Sequence, residues 1–170
     1  MDNMNWRGII WSVVLVLMAF YAMKFVQRGC GAPSIKVGAQ APGLSATLVG
    51  RQTAAESLFK GSAHALVFFA TWCRSCRSEL PVIQRVTRER PSMKVLVVSD
   101  EDVGLVADYL RKQGLKLNAA GNGGGVFAAY GIKVLPTTVV VGADGRVAFA
   151  EPGGGSVSSG LDLLVSMNGG

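Results

Sequence analysis

The sequence predicts an α/β fold, a mixed sheet flanked by helices, preceded by one N-terminal transmembrane helix. Three observations carry that expectation. Residues 8–26 form an apolar run whose only charge is Lys24 near its far edge. Short runs rich in Val, Leu and Phe, at 65–69 and 93–99, are each followed by a stretch with apolar residues at helical spacing. Two further strand-like runs, 137–141 and 146–150, are separated only by the turn residues Ala143-Asp144-Gly145 and so read as a hairpin. Strands alternating with helices, then a hairpin near the end, mean a sheet with both parallel and antiparallel pairs.

As a helix, residues 8–26 would measure about 28 Å, close to the roughly 30 Å of bilayer hydrocarbon. Trp6 and Trp11 at one end and Tyr21 at the other suit interfacial aromatic positions. The competing reading, a cleaved signal peptide, meets a poor cleavage pattern, because Phe20-Tyr21-Ala22 places a bulky residue where a small one is wanted. Flanking charge, Arg7 on one side against Lys24, Arg28 and Lys36 on the other, favours a cytoplasmic body. The dithiol chemistry described below favours the opposite side of the membrane. Cys30 lacks the residues that precede a lipidated cysteine. It reads as an incidental juxtamembrane thiol, with intermolecular pairing or palmitoylation as the alternatives. The organisation is therefore a tail and anchor at 1–26, a linker at 27–38 around Pro33, and one domain at 39–170.

A chain of 170 residues suits one such core. The net charge of +6 comes partly from the anchor flanks and partly from Arg85, Arg88 and Arg90, which read as a solvated helix face. Without aromatic interleaving or a reading motif, that charge does not point to nucleic acid.

Along the domain, Ala41 to Arg51 alternates and then turns at Gly50, predicting an opening hairpin. Thr53 to Lys60 predicts a short helix, with Thr53 as cap and Glu56 three residues on. His64 stands at the start of a core strand and reads as structural or simply exposed. A helix follows through Glu79, Leu80, Val82, Ile83 and Val86, and Pro81 inside it should bend it. Residues 93–99 are a second buried strand. Asp102 can cap the next helix, where Val103, Val106, Ala107 and Leu110 recur at threes and fours. Gly121-Asn122-Gly123-Gly124-Gly125 predicts a flexible loop, lacking the spacing of a phosphate cradle. A short helical turn at 127–130, the hairpin, and a last helix over about 157–166 complete the domain.

The chemistry lies in Ala70-Thr71-Trp72-Cys73-Arg74-Ser75-Cys76, at a strand-to-helix junction. Two intervening residues at a helix start bring both sulfurs within bonding reach, and the unpaired N–H groups and dipole there stabilise a thiolate. Arg74 and Arg77 add positive charge, so Cys73 should ionise below the free value of about 8.5. Cys73 is the candidate nucleophile and Cys76 its partner. A closed zinc site would have to recruit Cys30, Cys73, Cys76 and His64 from distant parts of the chain, against the redox expectation for CxxC near a βαβ pattern.

The WCRSC run after an apolar strand, a proline in the helix beyond it, and Leu135-Pro136-Thr137 opening a later strand together resemble the thioredoxin fold. Adding Ala41-Pro42, Gly50, TWCRSCRSELP, Ser99-Asp100-Glu101-Asp102, Tyr130-Gly131-Ile132, LPTTVVV and ADGRV, the chain from about residue 38 onward resembles the membrane-anchored TlpA/ResA-type thiol-disulfide oxidoreductases. The resemblance implies that Cys73 attacks a partner disulfide, that Cys76 resolves the mixed disulfide, and that Trp72 shields the pair. It implies a cis Pro136 facing the cysteines, with the Leu135 backbone free to pair with a substrate strand. A trans proline opening an edge strand is the alternative. The implied setting is a bacterial inner membrane, single-pass, with the domain facing the periplasm or exterior. Its partners would be disulfide-containing or dithiol proteins and an upstream membrane electron donor, without a cofactor, for example in cytochrome c maturation.

Two departures matter. Val67 stands where thioredoxin has a buried acid, so proton transfer at Cys76 falls to water, to Glu79 or to an acid in Asp100-Glu101-Asp102, with Glu79 ranked first because it lies three residues after Cys76 on a neighbouring helix position. Arg74-Ser75 replaces Gly-Pro between the cysteines, and about 30 mV of altered potential corresponds to about 1.4 kcal/mol. Rival functions are a disulfide oxidant and a copper chaperone holding Cu(I) between the thiolates. Copper chaperones of this fold usually add a late histidine, and none follows residue 64.

Overall fold

The computed structural model describes residues 10–18, 34–51, 58–59 and 61–168. The chain divides into two compact units, Met1–Gly31 and Ala32–Gly170. In the first, residues 10–18 are helical. The remainder of the expected anchor lies outside the described residues, and no helix among those described is long and apolar enough to cross a membrane. The expected helix at 53–60 also lies outside them, apart from Leu58 and Phe59.

The second unit is a six-stranded sheet. Its elements run β1 (Thr47–Leu48), β2 (His64–Phe68), α1 (Arg74–Glu89), β3 (Val95–Val98), α2 (Val103–Lys112), β4 (Ala119–Gly121), α3 (Gly124–Tyr130), β5 (Thr137–Val141), β6 (Val147–Pro152) and α4 (Ser156–Asn168). The strand order is β1-β4-β3-β2-β5-β6. β2, β3 and β4 are parallel, while β5, β6 and β1 are antiparallel to their neighbours, so the mixed sheet flanked by helices is the observed architecture.

β2 has every residue buried, as its apolar sequence requires of a central strand covered on both faces. Alternation sends Ala65 and Val67 to one face, with Val95, Val97 and Val140. Packed there are Leu80 and Ile83 of α1, Val106 and Leu110 of α2, and Val157, Leu161 and Leu164 of α4. Leu66 and Phe68 go to the other face, with Leu96, Val98, Val139, Val126 and Tyr130. Each fully buried Val, Leu or Phe contributes about 1.5–3 kcal/mol, so this central strand anchors the start of α1 firmly.

α1 buries Cys76, Leu80 and Ile83 at spacings of four and three, and it continues through Pro81. Asp102 caps α2 as expected, accepting from the N–H groups of Gly104 and Leu105. α3 ends at Gly131, whose φ of +63° closes the helix while Ile132 N–H reaches the Phe127 carbonyl at 2.9 Å. The 137–152 hairpin forms, with Thr137 opposite Pro152.

Two expectations need correction. Ala41–Arg51 does not fold on itself. Its turn exists, with Arg51 N–H on the Leu48 carbonyl at 3.3 Å, but Thr47 pairs antiparallel with Gly121, far away in sequence. Leu44, Ala46 and Leu48 are all buried, and lying along the main sheet hides that stripe better than a separate hairpin could. Nor is 121–125 a flexible loop: Gly121 belongs to β4 and Gly124 opens α3. A Cβ on Gly121 would lie 2.5 Å from Val103 Cα, and one on Gly123 would lie 2.7 Å from the Ser99 carbonyl oxygen. These glycines permit close backbone approach.

Candidate active site

The buried β2 ends at Phe68, and the chain turns through residues 70–73 into α1, with Cys73 N–H on the Ala70 carbonyl at 3.1 Å. Cys73 is the N-cap of α1, in extended conformation. Its Sγ accepts from the Cys76 N–H at 3.2 Å and has Ser75 Oγ at 3.5 Å. Cys73 and Cys76 form a disulfide, S–S 2.11 Å with Cα atoms 5.3 Å apart. The first turn of α1 holds no acid and carries Arg74 and Arg77, both exposed. On reduction, the Cys73 sulfur would sit on the positive end of the helix dipole with a backbone donor already aimed at it, the environment that favours a thiolate.

The two sulfurs differ in access. Cys76 is 1% exposed and Cys73 is 5%, and Cys73 alone opens onto a groove of about 470 Å³. Trp72, Arg74, Asp100, Phe127, Lys133 and Leu135 also line it. Trp72 stands at the rim, 70% exposed. The Leu135–Pro136 peptide is cis and Pro136 is buried. Leu135 makes no backbone hydrogen bond among the described residues. Cys73, Trp72 and Leu135 are thus brought to one groove, with Cys76 behind them.

Glu79 is placed differently. Its Oε1 accepts from the Gly155 N–H at 3.2 Å, which ties α1 to the start of α4. The carboxylate engaged with the redox turn is Glu101, which accepts from Thr71 N–H and from Thr71 Oγ1, each at 2.7 Å. The sequence placed it in an acidic triplet with Asp100 and Asp102 and assigned a task of its own, the helix cap, only to Asp102. The available signal was a residue after β3 that is left over once Asp102 has capped α2.

His64 lies at the opposite end of β2 from the cysteines. It is buried, stacks on Phe59 with ring centroids 4.7 Å apart, and its Nδ1 lies 2.9 Å from the Ser62 carbonyl oxygen. Burial lowers its pKa, with Lys94 contributing in the same sense and the Ser62 bond opposing. This is the structural role expected of it. Among the described residues, no group of three His, Cys, Asp or Glu side chains could hold a metal ion.

The family model described as AhpC/TSA family matches residues 37–150, more than half of the chain. A thiol-disulfide oxidoreductase ResA of Bacillus thuringiensis (strain Al Hakam) is 28% identical over 85% of this chain and 87% of its own length. A thiol:disulfide interchange protein DsbE homolog of Paracoccus denitrificans is 28% identical over 71% of this chain and 69% of its own. Among solved structures, a thiol:disulfide interchange protein of the thioredoxin family from Chlorobium tepidum superposes with a TM-score of 0.65 at 28% identity. That match covers 81% of this chain and all of the other.

Proposed function

Because this chain belongs to the AhpC/TSA family and is a thiol-disulfide oxidoreductase of thioredoxin type, we propose that it donates electrons to disulfides of specific extracytoplasmic partner proteins while tethered by residues 8–26. The Cys73 thiolate attacks one sulfur of the partner disulfide and expels the other as a thiolate, which takes up a proton. The Cys76 thiolate then attacks Cys73 Sγ, closing the internal disulfide and expelling the second partner sulfur. Two electrons pass to the partner, and a membrane donor restores the dithiol. Leu135, whose backbone makes no hydrogen bond among the described residues, would pair with an extended partner segment beside Cys73. Trp72 would cover the mixed disulfide. Keeping cysteine thiols of apocytochrome c reduced before haem attachment would be one such role, and maintaining copper-site cysteines another.

The observation that carries the proposal is the asymmetry of access: Cys73 opens onto the groove and Cys76 lies behind it. The test uses the full chain in detergent. Wild-type protein should reduce a protein disulfide in an insulin-type assay, Cys73→Ser should not, and Cys76→Ser should accumulate a mixed adduct. A midpoint near the roughly −270 mV of thioredoxin supports electron donation, and one near the roughly −120 mV of DsbA reverses the direction. Flat activity in the wild type, with no adduct in the Cys76→Ser variant, would overturn the reading.

A further inference from the structure

Thr71, two residues before Cys73, is held from both sides. Its N–H donates to Glu101 Oε2 and its Oγ1 donates to Glu101 Oε1, each at 2.7 Å. Its carbonyl oxygen accepts from the Arg77 guanidinium at 3.3 and 3.4 Å. Glu101 is itself braced. Its Oε2 accepts from Ser99 Oγ at 3.0 Å, and its N–H donates to the same oxygen at 3.2 Å. Its carbonyl accepts from Asn122 N–H at 2.7 Å, while Gly123 N–H donates to the Ser99 carbonyl at 2.9 Å. The close approach that Gly121 allows, where a Cβ would fall 3.0 Å from the Glu101 carbonyl oxygen, brings this segment up behind the loop.

The ordinary task of an acid in this loop, capping α2, is performed by Asp102. The Glu101 side chain is instead spent on Thr71 and Ser99. A half-buried carboxylate with both oxygens committed to one turn fixes that turn more narrowly than packing alone does. We propose that Glu101 is a positioning residue for the thiol chemistry: through Thr71 it sets how Cys73 sits on the first turn of α1, with the 121–123 segment as its support. This rests on Cys73 being the nucleophile.

The experiment follows iodoacetamide alkylation of Cys73 against pH in the reduced full chain, beside the rate of protein-disulfide reduction. Glu101→Ala and Thr71→Val should move the midpoint of the alkylation profile by about one pH unit and slow reduction about tenfold. Thr71→Ser, which keeps both donors, should stay within about twofold of wild type. Glu101→Gln, which keeps an acceptor and removes the charge, should fall between Thr71→Ser and Glu101→Ala. A Thr71→Val protein with the wild-type profile and rate overturns the proposal, and so does Thr71→Ser moving as far as Thr71→Val, since the lost methyl packing would then be responsible. Alkylation needs no partner protein, so it decides this claim even where the wild type reduces no disulfide and the functional reading fails.

Discussion

Thr71 and Cys73, on one side of the disulfide, have their backbone polar groups taken up inside the chain, whereas residues 133–135, on the other, leave most of theirs unengaged among the described residues. Thr71 uses its N–H, hydroxyl and carbonyl internally, and Cys73 N–H closes the turn on Ala70. Across the groove, Lys133 and Val134 are exposed and Leu135 makes no backbone hydrogen bond among the described residues. Among the described residues only the Val134 carbonyl is engaged there, accepting from Thr137 Oγ1 at 2.6 Å. On the proposed reading, the attacking sulfur would stand on the fixed side, where its geometry is defined, and the backbone that would receive a partner segment stands on the free one.

The strongest way to break this contrast is to push the fixed side from behind. Gly121→Ala would set a Cβ against the Val103 backbone, which has no flexible end to move aside. Urea denaturation should show a loss of about 2–3 kcal/mol, with altered Cys73 alkylation in the folded fraction. Unchanged stability would mean the 121–123 segment supports nothing. A smaller effect is expected on the free side. Replacing the Leu135 amide by an ester, through incorporation of leucic acid, removes the N–H and also weakens the Val134 carbonyl as acceptor for Thr137 Oγ1. The KM for a protein disulfide should rise about fivefold, the worth of one net hydrogen bond near 1 kcal/mol, with the alkylation profile of Cys73 unmoved. A shift in that profile would show that the two sides are not separable.

The smallest effect belongs to the far end of β2. His64 has its pKa lowered in the folded chain, so the unfolded chain binds the proton more readily between the folded value and the ordinary value of about 6.5. Its contribution to stability is complete above about pH 6.5 and is lost as pH falls through that window. Denaturation midpoints should decline there in wild type and less in His64→Gln, while Cys73 reactivity, normalised to its own profile, stays the same. Equal slopes in the two proteins would exclude His64 as the cause.

How much of this was legible depended on whether a signal was local. Cys73 and Cys76 declared themselves because a fully apolar strand feeds directly into a helix start, so spacing alone placed the sulfurs together. The 137–152 hairpin was visible for the same reason. β4 was not, since Ala119-Ala120-Gly121 has no β-branched residue and its last position lies so close to the Val103 backbone that only glycine fits. β1 was mistaken for half of a hairpin because its partner lies across the sheet. Glu79 was preferred over Glu101 on sequence distance from Cys76. What separates them is the fold of the β3–α2 loop, which turns one carboxylate to Thr71, while the other faces Gly155.

The borders of the sheet carry a last consequence. On one side β1 has two residues, and on the other β6 ends in Glu151-Pro152. An open strand edge is a template on which another chain can extend the ladder, and a two-residue strand on one side and a proline on the other both shorten that template. If Leu135 receives a partner segment as proposed, the attachment there would be short as well, and readily given up.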